Sequence, residues 1–338
     1  MTAVRVGING MGRIGRAVLR QIADRDDVEV AAVNDLVDLG ELAYMLQYDS
    51  VHGRFGPVET RGSHLVVRGQ EIAVSSHRTP EDIPWRDAGA EVVIESTGAF
   101  RARSAAAGHL QSGAERVILS APSDDADLTV VLGVNERAYD PARHRVVSMA
   151  SCTTNCLAPM VKVLHEEFSV EVAVFTTIHA YTSSQSLVDG PARKRPRGRA
   201  AALSIIPTTT GAAQAAERVL PELAGRIHGM AMRVPVPDGS VTDLVARLGR
   251  EVTAEEVNGA FRSAASRREW QGILGVSDER LVSADIVGDP RSALIDAPNT
   301  QVSQGRTTKV LAWYDNEWGY AARLVDFAVH VSGKGSAA

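Results

Sequence analysis

The first part of the chain alternates short apolar runs with longer segments whose apolar residues recur at helical spacing. Val4-Arg5-Val6-Gly7-Ile8, the periodic stretch 16–23 and the run 28–33 read as strand, helix and strand. Two more apolar runs, 91–95 and 116–120, are predicted as buried strands, joined by an Ala-rich crossover helix over 104–111. Strands alternating with helices in this way predict a doubly wound parallel sheet of the Rossmann type.

After about residue 152 the pattern changes. A predicted helix over 153–168 precedes long strand-like stretches at 171–178, 229–236 and 307–314, which suit a mixed or antiparallel sheet. Thr253-Ala254-Glu255-Glu256 has the pattern of a capping box opening a further helix, and 318–331 reads as a C-terminal helix. The expected fold class is α/β: a Rossmann-type parallel-sheet domain over 1–151 and an α+β catalytic domain over 152–316. The C-terminal helix, 317–333, is expected to pack back on the first domain. A chain of 338 residues exceeds what one hydrophobic core usually organises, which agrees with two domains.

Composition narrows the function classes. Hydrophobic residues make up 44% and charged residues 23%, ordinary globular values, so disorder is expected only in the tail Ser332-Gly333-Lys334-Gly335-Ser336. A formal charge of -5 provides no global attraction for nucleic acid or anionic lipid. The basic stretch Arg193-Lys194-Arg195-Pro196-Arg197-Gly198-Arg199 lacks aromatic neighbours for base stacking, so no nucleic-acid partner is expected. Neither a leader pattern nor a long apolar span is legible, which predicts a cytoplasmic protein without a membrane partner. Cys152 and Cys156 lie one helical turn apart, which suits neither a disulfide framework nor a four-ligand zinc site, and no metal is expected.

Gly10-Met11-Gly12-Arg13-Ile14-Gly15 follows a predicted strand and opens a predicted helix. In that context the glycines permit a tight turn and close approach of a pyrophosphate to the helix N-terminus. Asp35 lies 20 residues beyond Gly15 at the end of the second strand, where a carboxylate accepts a hydrogen bond from a ribose hydroxyl and repels a 2'-phosphate. NAD is therefore the predicted cofactor.

Ser148-Met149-Ala150-Ser151-Cys152-Thr153-Thr154-Asn155-Cys156 places a thiol at the start of a helix behind Ser151 as N-cap. Unpaired amides and the helix dipole favour a thiolate there and predict a lowered pKa for Cys152, an advantage that Cys156 lacks. His179 ends the apolar strand and is the candidate proton carrier. The other histidines, His52, His64, His77, His109, His144, His165, His228 and His330, are expected in loops or on helix surfaces.

Taken together, these blocks resemble phosphorylating glyceraldehyde-3-phosphate dehydrogenase over nearly the whole length. The likeness is carried by 7–16, Asn34-Asp35-Leu36, Glu95-Ser96-Thr97-Gly98 and Ala150-Ser151-Cys152-Thr153-Thr154-Asn155-Cys156. Further blocks are Thr177-Ile178-His179-Ala180-Tyr181-Thr182, Pro207-Thr208-Thr209-Thr210-Gly211, Met232-Arg233-Val234-Pro235 and Trp313-Tyr314-Asp315-Asn316-Glu317-Trp318. The resemblance implies that Cys152 is the nucleophile and His179 the base. It implies NAD contacts at Gly10, Gly12, Arg13, Ile14, Gly15, Asp35, Arg78, Thr97, Ser120, Ser183 and Asn316. Two anion sites are implied, one for the substrate phosphate near Thr182, Arg197 and Arg233, the other for inorganic phosphate near Ser151, Thr153, Thr210 and Gly211. The expected reaction is NAD-dependent oxidative phosphorylation of glyceraldehyde 3-phosphate to 1,3-bisphosphoglycerate through a thiohemiacetal and a thioester. A small phosphorylated aldehyde and inorganic phosphate are the expected partners, a homotetramer the expected assembly, and glycolysis or gluconeogenesis the expected setting.

The chain departs from the family pattern at Met149, where asparagine is usual, at Pro196 within the basic stretch, and at Asp238-Gly239 after Pro237. These changes leave the chemical groups in place. Two alternatives remain: an erythrose-4-phosphate dehydrogenase, which shares the cysteine and histidine blocks, and an inhibitor-tolerant second isozyme of the same activity.

Overall fold

The computed structural model describes residues 3–333; of the predicted disordered tail, the part from Lys334 on lies outside the described residues. Two units divide the chain between them. The first comprises residues up to Val130, Arg137–Ala150 and those from Ala321 on; the second comprises Val131–Glu136 and Ser151–Tyr320.

The first unit is built on a nine-stranded sheet. Val4–Asn9 lies at its middle, paired in parallel with Val28–Asn34 on one side and Val92–Glu95 on the other. The chain thus winds outward in one direction and then in the other, which opens a crevice at the carboxyl ends of these strands. Arg116–Leu119, Val146–Ser148 and Leu128–Thr129 extend the parallel array on one side. Gln70–Ser75 continues it on the other, where His64–Val67 and Val58–Arg61 add an antiparallel margin. Val4, Val6, Ile8, Val92, Val93 and Ile94 are fully enclosed, as continuous apolar strands in a covered parallel sheet must be.

The predicted crossover helix over 104–111 is instead two short helices, Arg103–Ala106 and Gly108–Gln111. Gly108 marks the break: a Cβ there would meet Glu81 Oε1 at 2.3 Å, so the close approach favours glycine, a poor helix former. The first helix, Arg13–Ile22, starts earlier than its apolar periodicity indicates because Gly12 serves as its N-cap.

The second unit carries an eight-stranded mixed sheet. Val170–Ala180 pairs in parallel with Ile227–Val234 and antiparallel with Ser240–Leu248, which in turn pairs with Thr307–Tyr314. Helix Cys152–Phe168 packs on this sheet through Leu157, Met160, Val161 and Leu164, all fully buried. Helix Ala254–Ser266 has the predicted capping box, with Thr253 Oγ1 accepting from Glu256 N and Glu256 Oε2 accepting from Thr253 N at 2.7 Å. Trp318–Val331 forms the last helix, and the division between the units falls within it, after Tyr320. Among the described residues no helix is long and apolar enough to cross a membrane.

Candidate active site

In the first unit the glycine turn is held by its own backbone. Gly10 has φ +92°, and a Cβ there would lie 2.7 Å from Thr97 N; at Gly15 a Cβ would lie 2.0 Å from Gly10 O. Gly12 is exposed, and a Cβ there would meet nothing within 4 Å, so the helix N-terminus faces open space. Asp35 accepts from Met11 N at 2.6 Å and from Val37 N at 2.9 Å, tying the turn to the end of the second strand. A cavity of about 370 Å³ opens here, lined by Gly10, Gly12, Asp35, Arg78 and Thr97, with Phe100 supplying an apolar wall. Exposed amide donors, a carboxylate at the strand end and an apolar wall are what a dinucleotide requires.

Not every predicted cofactor residue lines that cavity. The Arg13 guanidinium pairs with Asp49 and lies 3.3 Å from His52 Nδ1, which holds the Asp49 carboxyl well below its ordinary range. Ile14 is half-buried in the helix, and Ser120 follows the neighbouring strand, its N–H donating to Glu95 O at 3.0 Å. Ser183 and Asn316 belong to the second unit. Ser183 is exposed in the segment after Ala180, whereas Asn316 is buried and accepts a hydrogen bond from Ser240 Oγ.

In the second unit Cys152 is the first residue of its helix and Ser151 is the N-cap, its Oγ accepting from Thr154 N at 3.1 Å. Just before it, Ala150 has φ +54°, with its N–H donating to Ser148 Oγ at 3.0 Å. A left-handed alanine is uncommon and strained, and it directs the chain into this helix start. His179, 4% exposed, is the penultimate residue of Val170–Ala180, and its Nε2 lies 3.4 Å from Cys152 Sγ.

The expected lowering of the Cys152 pKa is corrected here. Burial is the largest influence and pushes the thiol up to about 11, against the opposing pull of Arg233 and of the Thr153 amide. A helix N-terminus stabilises a thiolate by less than enclosure in a protein interior penalises it. Burial, and then the neighbouring Arg233 cation, push His179 down to about 3. The sulfur and the imidazole nitrogen face each other at a distance a proton can cross when the sulfur attacks.

A group of cations and hydroxyls completes the site. In the parallel register His179 is paired with Arg233. Arg197 donates from Nε to Thr208 Oγ1 at 3.1 Å and from Nη1 to Ser184 Oγ at 3.3 Å; Lys194 donates to Thr209. Arg197, Lys194 and Arg233 all have lowered pKa values, chiefly through burial, and the Arg197 charge acts on both of the others. Mutually repelling cations held among hydroxyls suit an oxyanion. Thr182 Oγ1 lies 2.8 Å from Ser184 Oγ, Thr210 Oγ1 accepts from Ala212 N, and Gly211 is the N-cap of helix Ala212–Val219.

Two family models match, the glyceraldehyde 3-phosphate dehydrogenase NAD binding domain over residues 4–103 and the C-terminal domain over residues 151–316. Glyceraldehyde-3-phosphate dehydrogenase of Geobacillus stearothermophilus is 54% identical over 334 residues, 98% of this chain and 99% of the relative. The chain belongs to the glyceraldehyde 3-phosphate dehydrogenase family. Glyceraldehyde-3-phosphate dehydrogenase 1 of Bacillus subtilis is 53% identical over 98% of this chain and 99% of its own length. The Streptomyces coelicolor glyceraldehyde-3-phosphate dehydrogenase is 51% identical over 97% and 98% respectively. The first unit thus carries the NAD-binding domain of an NAD-dependent dehydrogenase, and these likenesses favour neither the erythrose-4-phosphate enzyme nor the inhibitor-tolerant isozyme.

Within this glyceraldehyde 3-phosphate dehydrogenase scaffold several residues were invisible to sequence reasoning. His109, expected on a helix surface, is fully buried and linked to Glu95; His64 and His228 lie on strands. Tyr314, in sequence only one member of a motif, has its hydroxyl 3.0 Å from Thr153 Oγ1 and 2.7 Å from Thr177 Oγ1. Ser184, Lys194, Thr208 and Thr209 join the cationic group. The departures are accommodated: Met149 is buried, Pro196 sits in the first turn of a short 3-10 helix, and Gly239 has φ +81° with Ser283 O 2.1 Å from where a Cβ would stand. The Asp238-Gly239 turn is therefore one that only glycine fits.

Proposed function

We propose that the chain oxidises glyceraldehyde 3-phosphate with NAD and inorganic phosphate, forming 1,3-bisphosphoglycerate, with Cys152 as nucleophile and His179 as base. The observation that carries this reading is the 3.4 Å contact between Cys152 Sγ and His179 Nε2 at the start of a helix. The Cys152 sulfur attacks the aldehyde carbon, and its proton ends on the former carbonyl oxygen as the thiohemiacetal forms. His179 then takes the hydroxyl proton while the carbon, still bound to sulfur, becomes a thioester. The nicotinamide, when bound, supplies the acceptor for the hydride. Phosphate attacks the thioester carbon and the Cys152 thiolate departs; the Cys152 backbone amide and the His179 side chain stabilise the developing oxyanion.

Arg13, Asp35, Arg78, Thr97, Ser120, Ser183 and Asn316 are the residues proposed to hold the dinucleotide, along with the turn Gly10 to Gly15. Thr182, Arg197 and Arg233 are proposed to hold the substrate phosphate, and Ser151, Thr153, Thr210 and Gly211 the inorganic phosphate. A homotetramer in the cytoplasm is the proposed working form. Val172, Val174, Met230 and Val245 expose apolar side chains on neighbouring strands, and Leu187, Val188, Leu203 and Ile205 are exposed as well. Clustered apolar surface of this kind favours association.

The test is NADH formation from glyceraldehyde 3-phosphate, with and without phosphate or arsenate, for the parent chain and Cys152→Ser. Turnover that requires the oxyanion and vanishes in the variant is expected. Turnover by Cys152→Ser at the parental rate overturns the reading. Faster turnover on erythrose 4-phosphate than on the triose would reassign the substrate.

A further inference from the structure

A second cavity lies in the first unit, between the strands Val28–Asn34 and Gln70–Ser75 and the short helix Trp85–Ala88. It measures about 220 Å³. Ala32, Ile83 and Trp85, all buried, belong to its floor, and the half-buried Ala73 and Ala88 to its sides. Alanines at three places in one wall leave the space that larger side chains would fill.

Two polar side chains reach this cavity, Ser75 and Asp87. Asp87 is exposed, and its carboxylate has no hydrogen-bond or ion-pair partner among the described residues. The cations nearby do not answer it. Arg5 donates to Ala88 O and Gly89 O and is paired with Glu29, and Arg86 lies against Gly113, away from the cavity lining.

The cavity wall is tied to the dinucleotide cavity by two hydrogen-bonded routes. Trp85 donates to His109 Nδ1, His109 Nε2 meets Glu95, and Glu95 accepts from Thr97 N. On the other side Ser75 Oγ donates to Asn34 Oδ1 at 2.9 Å, and Asn34 Nδ2 donates to Asn9 Oδ1 at 2.8 Å. Asn9, Asn34 and Thr97 all line the dinucleotide cavity.

The Trp85 ring has room to move in one direction. Behind it stands Gly7, where a Cβ would lie 2.7 Å from the ring, so that side is closed; the cavity side is open. A ring tipped into the cavity takes its N–H off His109, and the Glu95 carboxylate that holds Thr97 loses its support. A ligand filling the cavity occupies the volume this movement needs. It therefore binds the arrangement that keeps Thr97 in place and not the other, which is the differential affinity that coupling requires.

We infer that this cavity is a second ligand site, for a small arylalkyl ammonium ion, and that its occupation tightens NAD binding by holding Trp85 on His109. The space exceeds the ~150 Å³ in which an apolar protein interior holds benzene, so one ring fits against the apolar floor. The ammonium then lies at the mouth, where an unpaired carboxylate sets the charge of the ligand. The coupling rests on the reading that the dinucleotide lies over Thr97; binding of the amine does not.

The test is calorimetric titration of the parent chain with 2-phenylethylamine, alone and with saturating NAD. Its neutral counterpart 2-phenylethanol is expected to bind about two- to fivefold more weakly, the worth of an exposed ion pair, and Asp87→Asn to remove that difference. NAD is expected to tighten the amine about fivefold or more, and the amine to tighten NAD by the same factor, because coupling is reciprocal. Ala88→Leu, which fills the cavity, should abolish amine binding. Trp85→Phe, which keeps a ring but loses the indole donor, should bind the amine without any effect on NAD.

In the parent sequence labelled with 5-fluorotryptophan, the Trp85 fluorine signal should shift as the amine is added, a readout independent of how any variant folds. No binding of the amine, binding that survives in Ala88→Leu, or a Trp85 signal that stays fixed overturns the site. An amine that weakens NAD binding overturns it too, by placing the amine in the dinucleotide cavity. Amine binding at the site with no change in NAD affinity overturns the coupling. An NAD affinity unaltered in Asp35→Ala would instead overturn the placing of the cofactor and leave amine binding standing.

Discussion

Trp85 donates its indole N–H to His109 Nδ1 across 2.9 Å, and this one contact decides where the proton of a buried imidazole lies. An indole nitrogen can only donate, so Nδ1 must accept and Nε2 carries the hydrogen. Nε2 lies 3.1 Å from Glu95 Oε2, and Glu95 also accepts from Asn9 Nδ2 at 2.6 Å and from Thr97 N at 2.8 Å. Asn9 precedes Gly10, and Thr97 packs against it. Glu95 thereby joins the fully buried His109 to the dinucleotide turn.

The first prediction concerns that carboxylate. Glu95→Gln presents an amide N–H to a ring of donors and should loosen Thr97 and Asn9. Hydrogen bonds to a charge are worth ~1.5–3 kcal/mol each, so loss of one should weaken NAD binding by roughly tenfold to a hundredfold. Titration of protein fluorescence with NAD measures it, with the KM for the aldehyde as the control. An unchanged NAD affinity would show that Glu95 serves the core alone.

Asp35 is predicted to act twice, on the cofactor ribose and on the Met11 amide. Asp35→Ala should therefore weaken NAD binding by ~10-fold or more and narrow the preference over NADP, because a hydrogen bond and a repulsion disappear together. Dissociation constants for both dinucleotides test this. Equal losses for the two would sink the discriminating role.

Tyr314→Phe removes the hydroxyl between Thr153 and Thr177 and leaves two buried hydroxyls without it. The expected loss is about 1–3 kcal/mol of stability, read from the urea midpoint. Because Thr153 adjoins Cys152, the expectation extends to a fall in kcat larger than any rise in the KM for NAD. A variant as stable as the parent contradicts the first part.

Acid lability follows from His179, whose folded form is held to about 3 against an ordinary 6.5. Between those values the unfolded chain takes up a proton that the folded chain declines. Stability therefore falls as pH falls through this window, with a slope of at most ~1.4 kcal/mol per pH unit from this one group. His179→Gln should show a shallower decline between pH 6 and pH 4 in urea unfolding. Parallel curves for the two proteins would remove His179 as the cause.

Much of the active chemistry was legible along the chain because it depends on local order. Glycines at 10 and 15 specify a turn through φ and close approach, and a serine before a cysteine specifies a helix start; both follow from neighbours in sequence. The alternation of apolar runs with helical periods likewise determined the parallel sheet of the first unit, since each strand must be apolar on both faces. Tertiary structure decided what local order could not. The placing of Arg233 against His179 depends on the register of two strands whose paired residues stand 54 positions apart in sequence. The height of the Cys152 pKa depends on how much protein closes around the sulfur, a quantity that helix position alone misjudged. The Trp85, His109 and Glu95 chain joins segments 24 and 14 positions apart in sequence around a buried histidine. Packing and burial of this kind are sums over distant segments, and no stretch of sequence contains them.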